Sequence, residues 1–195
     1  MRKRMQAVLA VTGIVLGSAL AAGTPASAEA SPAVRQATSV NVPKSVTAQL
    51  ERAVQQARKD GRSAAAGSVC YTVHIRNHGW QSARCNGEVA GTVGANTPIE
   101  AIEIATSGTG GLCINAHIQN TGWQGQRCAA DKVQIGAGTT GQGRSIEALD
   151  INLGGNTGAQ GHVQNRGWLP AEYKDWVRVG TTGENLALEA IRVWT

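Results

Sequence analysis

Along residues 70–76 apolar and polar positions alternate, with Tyr71, Val73 and Ile75 set between Cys70, Thr72, His74 and Arg76. A period of two marks a strand with one face in a core. Asn77-His78 then reads as a two-residue turn, with Gly79 beside it to relieve backbone strain, so the chain is predicted to fold back as a hairpin. A turn centred there sets Ile75 opposite Trp80. The same reading sets Ile118 opposite Trp123 and Val163 opposite Trp168, each a favourable pairing of a β-branched side chain with an indole. Further strands are predicted over 99–104 and 186–194.

The pattern recurs. Residues 74–80, 117–123 and 162–168 all read H-[IV]-x-N-x-G-W, at intervals of 43 and 45 residues. A second block follows each first one: Gly91-Thr92-Val93-Gly94 leads to Ile99-Glu100-Ala101-Ile102, Gly138-Thr139-Thr140-Gly141 to Ile146-Glu147-Ala148-Leu149, and Gly180-Thr181-Thr182-Gly183 to Leu188-Glu189-Ala190-Ile191. The first Gly stands nine residues before the Glu in every copy, while the stretch between blocks varies and is read as an exposed loop. Three repeats, at about 69–107, 112–153 and 157–195, therefore predict an all-β, three-fold pseudo-symmetric domain. A β-prism is favoured and a β-trefoil is the alternative, each with roughly four strands per repeat. An open solenoid would leave apolar ends and strand edges exposed.

The cysteines test this register. Cys70 and Cys85, like Cys113 and Cys128, are spaced C-x14-C, and the same fold-back brings each pair opposite. Two disulfides, each inside one repeat, are predicted, in keeping with an oxidising compartment. The third copy has Gly158 and Tyr173 at these places. Without any C-x-x-C, a zinc site is not expected.

Residues 1–28 read as a secretory signal peptide: Arg2, Lys3 and Arg4, an apolar stretch from Ala7 through Leu20, then Ala26-Ser27-Ala28 as a cleavage site. No later segment is long and apolar enough to span a membrane, and a secreted, extracellular protein is expected. Residues 29–66 form a linker arm, and 67–195 the β domain. Within the arm, Ser45 can cap a short amphipathic helix carrying Val46, Leu50, Val54 and Ala57, stopped by Asp60-Gly61. A spacer role is favoured over partner binding.

The leader also explains the charge. The chain is +5, with 18 basic and 13 acidic residues, but three of the basic ones lie in the leader. From Gly67 onward there are 9 basic and 10 acidic residues, so nucleic acid is not an expected partner.

Gly136-Ala137-Gly138-Thr139-Thr140-Gly141 fits the G-x-G-x-x-G spacing of nucleotide sites, but a strand-like segment follows where a helix is required. Glu100, Glu147 and Glu189 recur with His74, His117 and His162, yet each repeat offers only one recurring Glu, whereas a glycosidase sets two carboxylates across one bond. No catalytic residue, metal or cofactor is expected. These His and Glu, with Asn77, Asn120 and Asn165, are read first as hydrogen-bonding backbone groups at the turns. The chain has no Phe and two Tyr, so Trp80, Trp123 and Trp168 are read mainly as core. Trp176, in the variable stretch, is the best candidate for an exposed contact. The candidate binding surface is His74, Asn77 and Trp80, their counterparts His117, Asn120, Trp123 and His162, Asn165, Trp168, and Trp176.

The blocks resemble the clostridial hydrophobic W repeat, with a unit of roughly H-x-Q-N-x-G-W-Q followed by A-G-T-x-G and R-[IL]-E-A-[IL]. Gln119-Asn120 with Gly122-Trp123-Gln124, Ala90-Gly91-Thr92 with Gly94, and Ile146-Glu147-Ala148 carry the likeness. Leu169-Pro170 replaces the Gln after Trp168, and the Arg before [IL]-E-A is displaced to Arg144 in copy two and absent from the others. The resemblance implies an extracellular binding module for a glycan or cell-envelope polymer, with a protein partner as the alternative. It brings no established ligand residues. Up to three weak equivalent sites acting by avidity are expected.

Overall fold

A computed structural model of the protein describes residues 45–61 and 67–195. The expected leader over 1–28, and the parts of the arm at 29–44 and 62–66, lie outside the described residues. No helix among the described residues is long and apolar enough to cross a membrane.

Each copy folds into five strands rather than four. Copy one gives β1 (Ser68–Ile75), β2 (Gly79–Trp80), β3 (Arg84–Cys85), β4 (Ala90–Gly91) and β5 (Ile99–Ser107). Copy two gives β6 (Leu112–Ile118), β7 (Gly122–Trp123), β8 (Arg127–Ala129), β9 (Ile135–Gly138) and β10 (Ile146–Asn152). Copy three gives β11 (Thr157–Val163), β12 (Gly167–Trp168), β13 (Glu172–Lys174), β14 (Val177–Gly180) and β15 (Leu188–Trp194).

The copies are not self-contained. They build three five-stranded sheets, and in each the fourth strand of a different copy completes the edge. β9 pairs with β5, β14 with β10, and β4 with β15. Copy two thus completes the sheet of copy one, copy three that of copy two, and copy one that of copy three. The exchange is cyclic and leaves no end repeat uncapped, which is how so few β units avoid the exposed ends of an open array. Among the described residues the strands close no barrel.

The glycine of the recurring A-G-T block makes the joint possible. Gly91, Gly138 and Gly180 have φ of 107°, 102° and 93°. A Cβ on any of them would collide with the backbone carbonyl of the Glu on the adjacent strand, contributed by another copy: Glu189, Glu100 and Glu147 respectively. The Gln after the repeat Trp holds this glycine in place. Gln81 Oε1 accepts from the Gly91 N–H at 2.8 Å, and Gln124 Oε1 from the Gly138 N–H at 2.7 Å. Copy three carries Leu169 there, packed against the core.

The inner faces share one aliphatic core, including Val69, Val73, Ile102, Ile114, Leu149, Leu188 and Val193. Its one aromatic member, Tyr71, ties copy one to copy three: its hydroxyl donates to the Glu88 carbonyl and accepts from the Val193 N–H at 2.9 Å. Burial pushes this phenol up to about 12. No tryptophan belongs to the core, contrary to the sequence reading; Ile, Leu and Val fill it instead.

Both predicted disulfides are present, Cys70–Cys85 and Cys113–Cys128. In copy three Gly158 and Tyr173 face each other in the same register. The Trp194 indole lies over Gly158, where a Cβ would strike its ring, so packing replaces the covalent bond.

Helix α1 (Val46–Lys59) begins as expected, with the Ser45 hydroxyl accepting from the Ala48 N–H. It is not a loose spacer. Val46 and Leu50 are buried against Cys70 and Ala105 on the outer face of the first sheet. This cover shows in the strands: β6 alternates buried and half-buried positions, whereas nearly all of β1 is buried on both faces. Leu50→Ala removes a side chain only 1% exposed, at a cost of about 2–3 kcal/mol. The expected result is local undocking, read as faster tryptic cleavage at Arg52 and Arg58 with an unchanged core melting transition.

Candidate functional site

The Asn-x-Gly pair aims the site residues by backbone conformation. Asn77, Asn120 and Asn165 have φ of 64°, 60° and 61°, and Gly79, Gly122 and Gly167 are left-handed too. Asn tolerates this region better than other side chains. Each turn closes with an N–H donated to the last strand residue, from His78 to Ile75, Thr121 to Ile118 and Arg166 to Val163, at 2.9–3.0 Å. The asparagines therefore serve the turn through φ, and not through the side-chain bonding to backbone groups expected of them.

The result is a register one residue from the expected one near the turn. Trp80 lies opposite His74, not Ile75; Trp123 opposite His117, and Trp168 opposite His162. Further along, Cys70 faces Cys85 as expected. The returning strand thus holds one extra residue between the Trp and Cys pairs, a bulge. Because side chains alternate, this single residue turns the indoles to the outer face.

On that face each indole meets its histidine edge-to-face, with ring centroids 5.5, 5.1 and 5.4 Å apart. Behind each histidine sits the recurring Glu. Nδ1 approaches a carboxylate oxygen at 3.3 Å in His74–Glu100, 2.9 Å in His117–Glu147 and 3.0 Å in His162–Glu189. These contacts are close in distance but out of line for a hydrogen bond. Glu100, Glu147 and Glu189 are 3–5% exposed. Among the described residues, only Glu100 of the three has an arginine bonded to it: Arg76 Nε donates to its Oε1 at 3.0 Å. Arg144 instead donates to the Thr121 hydroxyl. His and Glu are thus set against each other across strands rather than against backbone groups at the turn.

Two of the indoles carry an arginine on their face. Arg178 lies 4.7 Å from the Trp123 ring centroid, and Arg192 4.5 Å from that of Trp168. Stacked cations and edge-on imidazoles explain why the Trp recurs without entering the core.

The outer face of the second sheet holds an open cleft of about 480 Å³, with Asn115, Gln126 and Asp150 from copy two and Lys174, Trp176, Val177 and Arg178 from copy three. Val177 and Val179 point into the core, so Trp176 and Arg178 point outward together. Arg178 grips Asp150 with two hydrogen bonds of 2.6 and 2.8 Å. That pairing raises the guanidinium above its ordinary pKa. Trp176 is 41% exposed and Trp123, reached through Arg178, is 36% exposed. On the first sheet the matching region is taken by α1: Glu103 accepts from Gln134 at 2.6 Å, and Gln134 in turn accepts from the Val46 N–H at 3.0 Å. Burial raises the Glu103 carboxyl.

Of the sequence candidates, the structure gathers each His with its Trp, leaves Asn77, Asn120 and Asn165 in the turns, and sets Trp176 in the cleft. Asn115, Gln126, Asp150, Lys174 and Arg178 were not anticipated. The alternation of Trp176, Val177, Arg178 and Val179 places two of these side chains on one face. The partners come from another copy, which no local pattern reports. Among the described residues, no three His, Cys, Asp or Glu side chains cluster as metal ligands.

Fold and site together define a tandem-repeat protein in which three strand-exchanged β units each present a His–Trp–Glu cluster. Residues 74–108, 117–155 and 162–195 match the family model described as Clostridial hydrophobic W. The three segments cover more than half of the chain, which belongs to that family. No curated protein and no solved structure matches the chain.

Proposed function

We propose that the protein is a secreted, non-catalytic binding module whose ligand is a carbohydrate or another cell-envelope polymer. Trp176 carries this reading: an indole 41% exposed beside a cleft rimmed by amide, carboxylate and cationic groups. A flat apolar ring next to convergent polar groups suits a sugar, whose C–H face stacks while its hydroxyls are bonded. The outer faces differ, since α1 covers one of them, so a principal site on the second sheet is favoured over three equal ones. Secretion is supported by the two disulfides together with the leader pattern. A non-catalytic role is supported by the recurring glutamates, each buried and engaged by its histidine rather than facing a second carboxylate across an open cleft. Three sheets without a closed barrel favour a β-prism over a β-trefoil.

The test is intrinsic fluorescence during titration with soluble polysaccharides and cell-wall fragments. Saturable quenching is expected, weakened about tenfold or more in Trp176→Ala, with stability within about 1 kcal/mol of the parent. Unchanged titration of Trp176→Ala would remove the cleft from consideration. Silence across the whole panel would leave a protein partner as the surviving reading.

A further inference from the structure

A second hollow, sharing no residue with the Trp176 cleft, lies where the three copies converge, and its volume is about 350 Å³. The residue before each turn Asn supplies its wall: Arg76, Gln119 and Gln164. Each reaches the next copy, at the position three residues before the recurring [IL]-E-A. Gln119 Nε2 donates to Asn185 Oδ1 at 2.8 Å, Gln164 Nε2 to Asn96 Oδ1, and Arg76 Nη2 to the Gly143 carbonyl at 2.7 Å. Asn96, Gly143 and Asn185 share a left-handed backbone, with φ of 53°, 62° and 55°. The three contacts form a closed ring around the hollow.

One link differs from the others. Where two copies pair Gln with Asn, the third pairs the longer Arg76 with Gly143, which lacks the side chain that Arg76 would otherwise meet. The substitution keeps the link and brings a guanidinium to the hollow. Its Nε is held by Glu100 and its Nη2 by Gly143, while Nη1 makes no hydrogen bond among the described residues. No carboxylate lines the hollow; Glu100 lies buried behind Arg76. The remaining wall is mostly amides and hydroxyls, Ser145 and Thr97 among them, with only Pro98 and Ala187 apolar.

We infer that this hollow is a single binding site for a small polyhydroxylated molecule bearing a carboxylate, of the size of a uronic acid. Amides and hydroxyls both donate and accept, as sugar hydroxyls do, and the Arg76 Nη1, not taken by Glu100 or Gly143, can donate a charge-assisted hydrogen bond to a carboxylate. The volume is at the low end for ligand pockets and suits one ring. The inference stands without the Trp176 cleft.

The experiment is calorimetric titration of the whole protein with glucuronate, with glucose as the uncharged counterpart. The variant is Arg76→Gln combined with Gly143→Asn, which installs the Gln–Asn link of the other two copies and so keeps the ring while removing the cation. The parent is expected to bind one glucuronate per chain in preference to glucose. The double variant should lose about tenfold in glucuronate affinity, the worth of a charge-assisted hydrogen bond, while still unfolding cooperatively at a melting temperature lowered by the loss of the Arg76–Glu100 contact. Trp176→Ala should retain glucuronate binding. Absence of saturable binding, equal affinity in the double variant, or loss of binding in Trp176→Ala would each overturn the assignment.

Discussion

Gly138→Ala is expected to be the most damaging small substitution in the protein, lowering the unfolding free energy by about 3–5 kcal/mol. Two penalties act together. The backbone holds φ at 102°, which L side chains avoid, and the added methyl would meet the Glu100 carbonyl and the Ala101 Cα of the adjacent strand β5. β9 cannot retreat without giving up its pairing with β5, and that pairing joins copy two to copy one. The natural control is Gly79→Ala. Gly79 also has positive φ, but nothing lies within 4 Å of its missing Cβ, so strain alone should cost about 1 kcal/mol. Urea midpoints of the two variants separate the effects. Equal losses would mean that the close approach between copies contributes nothing and that backbone strain alone is measured.

The second large effect concerns the disulfides, whose consequences should be ordered. Both close a sequence separation of 15 residues, for which the chain-entropy model gives about 3 kcal/mol each. Their surroundings differ: Cys128 is exposed and Cys113 half-buried, whereas Cys70 is fully buried beneath α1 and Cys85 half-buried. Under a mild thiol, Cys113–Cys128 is expected to open first, and Cys70–Cys85 only after α1 lifts. Timed alkylation with peptide mass mapping reads this order. Leu50→Ala, which weakens the helix contact, should bring the two rates together. Persistence of the large difference in Leu50→Ala would show that α1 is not what protects the first bond. Replacing both pairs by Ser removes about 6 kcal/mol on the same model, much of the stability of a domain this size.

Both effects follow from features that the chain announces at different levels. The alternation around Tyr71, the two Trp-containing and Glu-containing blocks, and the C-x14-C spacing are local and periodic. An all-β fold, three repeats and two intra-repeat disulfides could therefore be read directly. So could the helix, because its cap at Ser45, its apolar spacing and its stop at Gly61 all lie within one short segment.

Other features depended on interactions that no local window contains. A single extra residue between Trp80 and Cys85 leaves the cysteines paired yet turns the indole from core to surface, since a strand's faces exchange at every step. The exchange of β4, β9 and β14 is a contact between copies; the sequence marks it only by a glycine whose reason is a carbonyl in another repeat. The Trp176 cleft and the ring of Arg76, Gln119 and Gln164 likewise draw their partners from neighbouring copies. Repetition and side-chain period were thus written in the chain itself. Which face each indole presents, and which copy completes each sheet and hollow, were decided by the packing of the copies against one another.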